Sequence, residues 1–163
     1  MLYAVLVAAL VAIDQVVKYL VRANIPLGES IPFLPHVMDL TYVQNTGAAF
    51  SMLSEHTWVL TLLSLAASVL LTLVLVKGWV TRTRLGRLCV AVVLAGAVGN
   101  LIDRALFRFV TDMFETTFIN FAVFNVADIC VVLGGIGFCA YYLFLYEKLE
   151  GKESGHDDAG TAG

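Results

Sequence analysis

Many polar side chains stand between Gly99 and Asp128, although long apolar runs lie on both sides of this stretch. Six of them are candidates for a site, namely Asn100, Asp103, Arg104, Asp112, Asn125 and Asp128. Ionisable groups are costly to keep in or beside a bilayer and mark functional sites there. Two close carboxylates can share one proton, so that one acts as base on a water molecule while the other polarises a carbonyl. The stretch therefore predicts a polar site at the membrane edge, able to perform acid–base chemistry.

The residue types outside this stretch offer no better nucleophile. No serine lies in an elbow motif, no cysteine has a histidine in a recognisable pattern, and no ligand set has zinc spacing. Spacing alone does not decide which two of Asp103, Asp112 and Asp128 would pair. Each could instead be a helix cap or an ion-pair partner, and Asp103 beside Arg104 is the most typical of that role.

The composition indicates an integral membrane protein. Of the 163 residues 60% are hydrophobic and 14% charged, and the mean hydropathy is +0.86. A soluble domain is nearer one half apolar and one quarter charged. A net charge of −3 without a basic patch argues against a nucleic-acid partner.

Four spans of about 20 residues would fill the chain. We predict transmembrane helices at about 1–22, 58–76, 88–107 and 125–146, within one membrane domain that covers 1–147. The polar, glycine-rich tail 148–163 is predicted to be disordered and cytoplasmic.

The first apolar run is predicted to be a retained helix rather than a cleaved signal peptide. No Lys or Arg precedes it, and Asp14 and Lys18 interrupt it. These two residues are four apart, so they share a helix face and can form an ion pair.

The loop between the second and third spans decides the predicted topology. It carries four basic residues, Lys77, Arg82, Arg84 and Arg87. By the positive-inside rule the loop and both termini are cytoplasmic, and 23–57 lies outside. Asp14, Lys18, Asn45 and the six polar residues listed above then all fall in the outer half of the protein.

The outer segment 23–57 has the composition of a small β structure. It holds all three prolines, and Val37–Gln44 partly alternates, which predicts a strand ribbon. Asn45-Thr46-Gly47 is typical of a turn. The stretch 107–123 is predicted to be an outer connection lying on or dipping into the interface. The predicted fold is thus all-α, with four transmembrane helices and a small extracytoplasmic β element between helices 1 and 2.

Five motifs give the chain a resemblance to the bacterial lipoprotein signal peptidases, also called signal peptidase II. They are DQVVK (14–18), QNTGAAFS (44–51), GNLIDR (99–104), FVTD (109–112) and FNVAD (124–128), in the family's order and across nearly the whole chain except the tail. The chain departs from the family pattern at Arg108, where the family often has Gly, and at Thr111, where it usually has Val. These departures predict altered loop stiffness and local polarity.

The resemblance implies a membrane aspartic peptidase with Asp112 and Asp128 as catalytic residues, and it selects Asp112 over Asp103. It implies a β-cradle over Ala23–Gly47. The supporting residues that it implies are Asp14, Lys18, Asn45, Gly47, Asn100, Asp103, Arg104, Asn125 and Ala127.

The implied substrate is a prolipoprotein whose cysteine carries a diacylglyceryl group, cut just before that cysteine. Lipid and signal helix would keep the substrate in the bilayer and deliver it to the extracytoplasmic face of the inner membrane. No metal or organic cofactor is expected. Substrate and membrane lipids are the expected partners of a monomer.

Two other functions compete with a peptidase. A small proton-coupled transporter subunit would also carry intramembrane Asp, Asn and Arg, but its polar residues should extend to the midplane or to both faces. A scaffold could use polar residues to join its helices. The one-sided placement of the polar set, together with the resemblance, favours the peptidase.

Overall fold

The computed structural model of the protein describes residues 1–47 and 57–149. In chain order its elements are α1 (Leu2–Asn24), β1 (Ser30–Leu34), β2 (Met38–Asn45), α2 (Thr57–Lys77), α3 (Arg84–Phe107), β3 (Val110–Thr116) and α4 (Val126–Phe144). All four helices are long and apolar enough to cross a membrane. The predicted all-α membrane fold with a small β element is confirmed. The second half of QNTGAAFS and the predicted disorder of the tail from 150 onward lie outside the described residues.

Helix α3 is the central helix of the bundle. Half of its span is buried inside the protein, against 17–22% of the other three spans. Small residues let its neighbours come close: Ala91 and Ala95 are buried, and a Cβ at Gly96 would overlap the backbone carbonyl of Ala127 on α4. The other three helices consequently leave most of their apolar surface for lipid.

The three strands form one antiparallel sheet in the order β1-β2-β3. The predicted ribbon corresponds to β1 and β2. The prediction that 107–123 is only an outer connection is wrong at β3, which pairs Asp112 with Val43 and Val110 with Asn45. Val110 to Met113 are all buried, partly against α1, so β3 lacks the alternation that would have revealed it.

Chain connectivity brings four helix ends to the sheet. They are the end of α1, the start of α2, the end of α3 and the start of α4. The four basic residues of the loop region lie at the opposite end of the bundle. Helix α3 begins four residues earlier than predicted, because Thr83 caps it by accepting a 3.2 Å hydrogen bond from the Gly86 N–H.

Candidate active site

A cavity of about 630 Å³ opens at the sheet end of the bundle, beside α3 and α4. Its polar lining comprises Asn45, Asn100, Arg104, Asp112, Asn125 and Asp128. The rest of its wall is apolar and comes mainly from 121–124 and the first turns of α4. Asp103 is not among the described residues that line it. The cavity thus brings together two of the three aspartates that the sequence left open.

Asp112 is held on β3 by two amide side chains. Asn125 Nδ2 donates to Asp112 Oδ1 at 2.6 Å, and Asn45 Nδ2 donates to Asp112 Oδ2 at 2.9 Å. Gly47 in turn orients Asn45, since its N–H donates to Asn45 Oδ1 at 3.0 Å. Both carboxylate oxygens of Asp112 therefore have a fixed donor.

Burial raises the pKa of Asp112 to about 6. The hydrogen bonds from Asn45 and Asn125 act in the opposite direction because they favour the charged carboxylate. The negative charge of Asp128 raises the pKa further. The two carboxylates therefore interact electrostatically, which is one condition for a pair that shares a proton.

Asp128 lies in the first turn of α4, where Asn125 forms a capping box with it. The Asp128 N–H donates to Asn125 Oδ1 at 2.9 Å, and the Asn125 N–H donates to Asp128 Oδ2 at 3.2 Å. Asn100 Nδ2 donates to Asp128 Oδ1 at 2.8 Å. The fully buried Asn125 thus contacts both cavity aspartates.

Lys18 is fully buried behind the cavity and faces three acceptors. Its Nζ lies 2.9 Å from Asp14 Oδ2, 2.8 Å from Asn100 Oδ1 and 3.7 Å from Asp103 Oδ2. The ion pair predicted between Asp14 and Lys18 is present. Because the lysine occupies the carbonyl oxygen of Asn100, the amide nitrogen is left to face Asp128.

The two supporting carboxylates hold the backbone immediately before each cavity aspartate. Asp14 Oδ1 accepts a 2.9 Å hydrogen bond from the Ala127 N–H, and Asp103 Oδ2 accepts one of 2.8 Å from the Thr111 N–H. Ala127 must be small, since α3 comes into contact with it at Gly96 and Gly99. The supporting residues therefore position the cavity aspartates from behind.

Sequence reasoning missed two residues of this network. Gln15 Nε2 donates to Gly99 O at 3.1 Å, and Arg22 Nη1 donates to Thr111 Oγ1 at 2.8 Å. Arg22 could have been predicted from its position, because it lies four residues after Lys18 and hence on the same face of α1. Arg104 lines the cavity, and its hydrogen bonds to other described residues are long, from Nη1 to Ser64 Oγ at 3.4 Å and to Asn100 O at 3.5 Å.

Comparison with known proteins agrees with the family that the five sequence motifs resemble. Residues 6–144 match the model of the family described as Signal peptidase (SPase) II. The chain is 41% identical to the lipoprotein signal peptidase of Enterococcus faecalis over 153 residues, covering 92% of this chain and 93% of that protein. It is 38% identical to the lipoprotein signal peptidase of Clostridioides difficile, covering 91% and 99%.

The fold matches solved structures of bacterial membrane enzymes. A solved structure described as a bacterial membrane enzyme at 2.3 Å resolution superposes with a TM-score of 0.80 and 26% identity, covering 91% of this chain and 90% of that one. A second, at 1.9 Å resolution, superposes with a TM-score of 0.79 and 27% identity, covering 88% and 93%. The chain therefore belongs to the signal peptidase II family of membrane proteases.

Proposed function

We propose that this protein is an aspartic endopeptidase that removes the signal peptide from diacylglyceryl-modified prolipoproteins, cutting just before the lipidated cysteine. The observation that carries the proposal is that Asp112 and Asp128 line one cavity and both contact Asn125. The relatives named lipoprotein signal peptidases support the substrate class.

The proposed reaction is a direct attack of water on the scissile carbonyl. One of the two aspartates acts as base on the water, and the other, protonated, polarises the carbonyl. The raised pKa of Asp112 supports this division of labour, because a carboxyl that titrates near 6 is able to hold or release a proton close to neutral pH. Asn45, Asn100 and Asn125 keep the carboxylates in place while the proton moves.

The apolar wall of the cavity suits a substrate that stays in the bilayer. Ile129, Val132 and Leu133 of α4 line it, and Val132 and Leu133 are also more than half exposed on the outside of the bundle. A signal helix lying in the bilayer along α4 would reach the aspartates without leaving the apolar phase.

The proposed location is the bacterial inner membrane, with both termini cytoplasmic and the active site at the extracytoplasmic face. Four basic residues at the end of the bundle away from the sheet support this orientation through the positive-inside rule. We also propose a monomer, because one chain provides both aspartates and the residues that hold them. The polar network lies at the sheet end, which favours a peptidase over a transporter that would need a polar path across the membrane.

The test is cleavage of a purified, diacylglyceryl-modified precursor by the protein in a lipid environment. Asp112→Asn and Asp128→Asn should each lose activity at least about a hundredfold while remaining folded in detergent. Asp39→Asn, on the sheet but outside the cavity lining, should cleave at the wild-type rate. Asp103→Asn should melt at a lower temperature but keep some activity, because Asp103 holds the backbone at Thr111.

Two results would refute the proposal. Near wild-type cleavage by the Asp112 or Asp128 variant would remove that residue from the catalytic pair, and Asp103 would be the next candidate. Equal cleavage of a precursor that lacks the diacylglyceryl group would show that the substrate class is wrong.

A further inference from the structure

A second cavity, of about 670 Å³, lies between the start of α2 and the end of α3. Its described lining includes two arginines, Arg104 and Arg108, and two threonines, Thr57 and Thr61. Arg104 lines both this cavity and the one that holds the aspartates, whereas Arg108 lines only the second. The two arginines are four residues apart at the end of α3, so their side chains can converge on one group.

The described residues that line this cavity carry positive charge. None of the described residues that line it is acidic, and the first turn of α2 at its wall holds no acidic residue. A helix N-terminus adds partial positive charge, which favours anions. The contacts from Arg104 Nη1 to Ser64 Oγ and Asn100 O are at the long limit for hydrogen bonds, and Arg108 is exposed. Arg104 also interacts with the negative charges of three aspartates, so the exposed Arg108 is the more available of the two guanidiniums for an anion.

The same cavity has an apolar side. Trp58 is 64% exposed and Leu62 is 56% exposed, and both line it. They lie in the first two turns of a helix that is apolar enough to span the bilayer. Tryptophan is typical of the depth at which lipid headgroups meet acyl chains, and basic side chains at that depth attract anionic lipids.

We propose that this second cavity binds the phosphate of an anionic phospholipid. Arg104 and Arg108 contact the phosphate, and Trp58 and Leu62 contact the glycerol and the upper part of an acyl chain. The proposal goes beyond the peptidase activity and needs only that α2 and α3 span a membrane.

The backbone at Arg108 gives a way to separate lipid binding from folding. Arg108 is the C-cap of α3 with φ of 65°, a left-handed conformation that glycine adopts more readily. A purely structural role for Arg108 would be that its positive charge complements the C-terminal end of the α3 helix dipole. Arg108→Gly removes the charge and fits the backbone, so it should melt no lower than its parent even if lipid binding is lost.

The chain provides its own reporter. It has two tryptophans, Trp58 at this cavity and Trp79 at the opposite end of the bundle. A Trp79→Phe parent leaves Trp58 as the sole tryptophan, whose emission can be excited selectively over that of tyrosine. In nanodiscs of phosphatidylcholine, brominated phosphatidylglycerol should quench Trp58 more strongly than the same mole fraction of brominated phosphatidylcholine.

The variants decide what causes this preference. Arg108→Gly should reduce the preference for the anionic lipid about fivefold, since one basic side chain near a membrane surface contributes about that factor. Arg108→Lys should retain most of it. Arg84→Gln, which removes an arginine from the opposite end of α3, should leave it unchanged.

Three results would overturn the proposal. Equal quenching by both lipids would mean that the cavity does not select an anionic lipid. An unchanged preference in Arg108→Gly, or an equal loss in Arg84→Gln, would assign the preference to general surface charge. Equal quenching by both lipids, together with a change in Trp58 emission on adding inorganic phosphate that Arg108→Gly abolishes, would show a site for free phosphate instead of lipid. None of these measurements involves cleavage, so their failure is distinct from failure of the proposed activity.

Discussion

The guanidinium of Arg22 donates a 2.8 Å hydrogen bond to the hydroxyl of Thr111, the residue directly before Asp112. The same nitrogen lies 3.8 Å from Asp103 Oδ2, and the guanidinium lies 4.6 Å from the centroid of the Phe107 ring. Thr111 is fully buried. This contact ties the end of α1 to β3 at the position where one of the cavity aspartates is held.

Thr111→Val should destabilise the protein, although valine has nearly the same shape as threonine. The change removes the acceptor for a charged donor, and we expect the free energy of unfolding to fall by about 1–3 kcal/mol. The Thr111 N–H still donates to Asp103, so the loss of activity should be smaller than in the Asp112 variant. Thermal unfolding in detergent and cleavage kinetics measure the two effects.

A double-mutant cycle with Arg22→Leu isolates the contact itself. The two single changes should be non-additive by at least about 0.5 kcal/mol, because either one already breaks the same hydrogen bond. Strict additivity would show that Arg22 and Thr111 stabilise the protein independently.

The pKa of Asp112 predicts a pH dependence of stability. The folded value of about 6 lies above the ordinary value of 3.8. Between these values the folded protein holds a proton that the unfolded chain has lost. The free energy of unfolding should therefore fall as pH rises from about 4 to 6, by on the order of 3 kcal/mol, and then level off.

The measurement is the unfolding transition across this range for wild type and Asp112→Asn. Other carboxyl groups titrate in both proteins, so the difference between the two curves isolates Asp112. In Asp128→Asn the fall in the free energy of unfolding should end at a lower pH, since the charge of Asp128 helps to raise the pKa of Asp112. A difference curve that is flat or rises with pH would contradict the prediction.

The sequence predicted the helices and much of the network because these depend on local patterns. Apolar runs reveal the spans, and i, i+4 spacing reveals the pair of Asp14 and Lys18. The strand that carries Asp112 could not be predicted, because its first four residues are buried on both faces and its partner β2 is distant in the chain. Spacing could not rank the three aspartates either, since only the fold places Asp103 behind the cavity and Asp112 on its wall.

Asn125 serves as helix cap and as donor to Asp112, and two substitutions should separate these roles. Asn125→Ser keeps a side chain that caps helices well, whereas Asn125→Ala does not, and the difference in unfolding free energy should be about 1 kcal/mol. Both variants lose the 2.6 Å hydrogen bond to Asp112, so both should lose kcat to a similar extent. If serine restored wild-type kcat, capping alone would account for the residue.

Gly96→Ala tests whether close contact of α3 and α4 is needed to hold Asp128. A Cβ at this position would overlap the Ala127 carbonyl and lie 2.7 Å from Val131 Cγ2. The carbonyl belongs to the backbone of α4 and cannot rotate away, so α4 must shift at the residue before Asp128. We expect a loss of about 1–3 kcal/mol in unfolding free energy and a marked fall in kcat.

Gly135→Ala is the matched control for that substitution, because a Cβ there meets nothing within 4 Å. Alanine favours a helix over glycine by up to about 1 kcal/mol, so this variant should be as stable as wild type or more so, with unchanged cleavage. Equal effects of the two changes would mean that the glycines matter only through helix propensity. A destabilised Gly96→Ala beside an intact Gly135→Ala would instead make the contact of α3 with Ala127 the element that sets the position of Asp128.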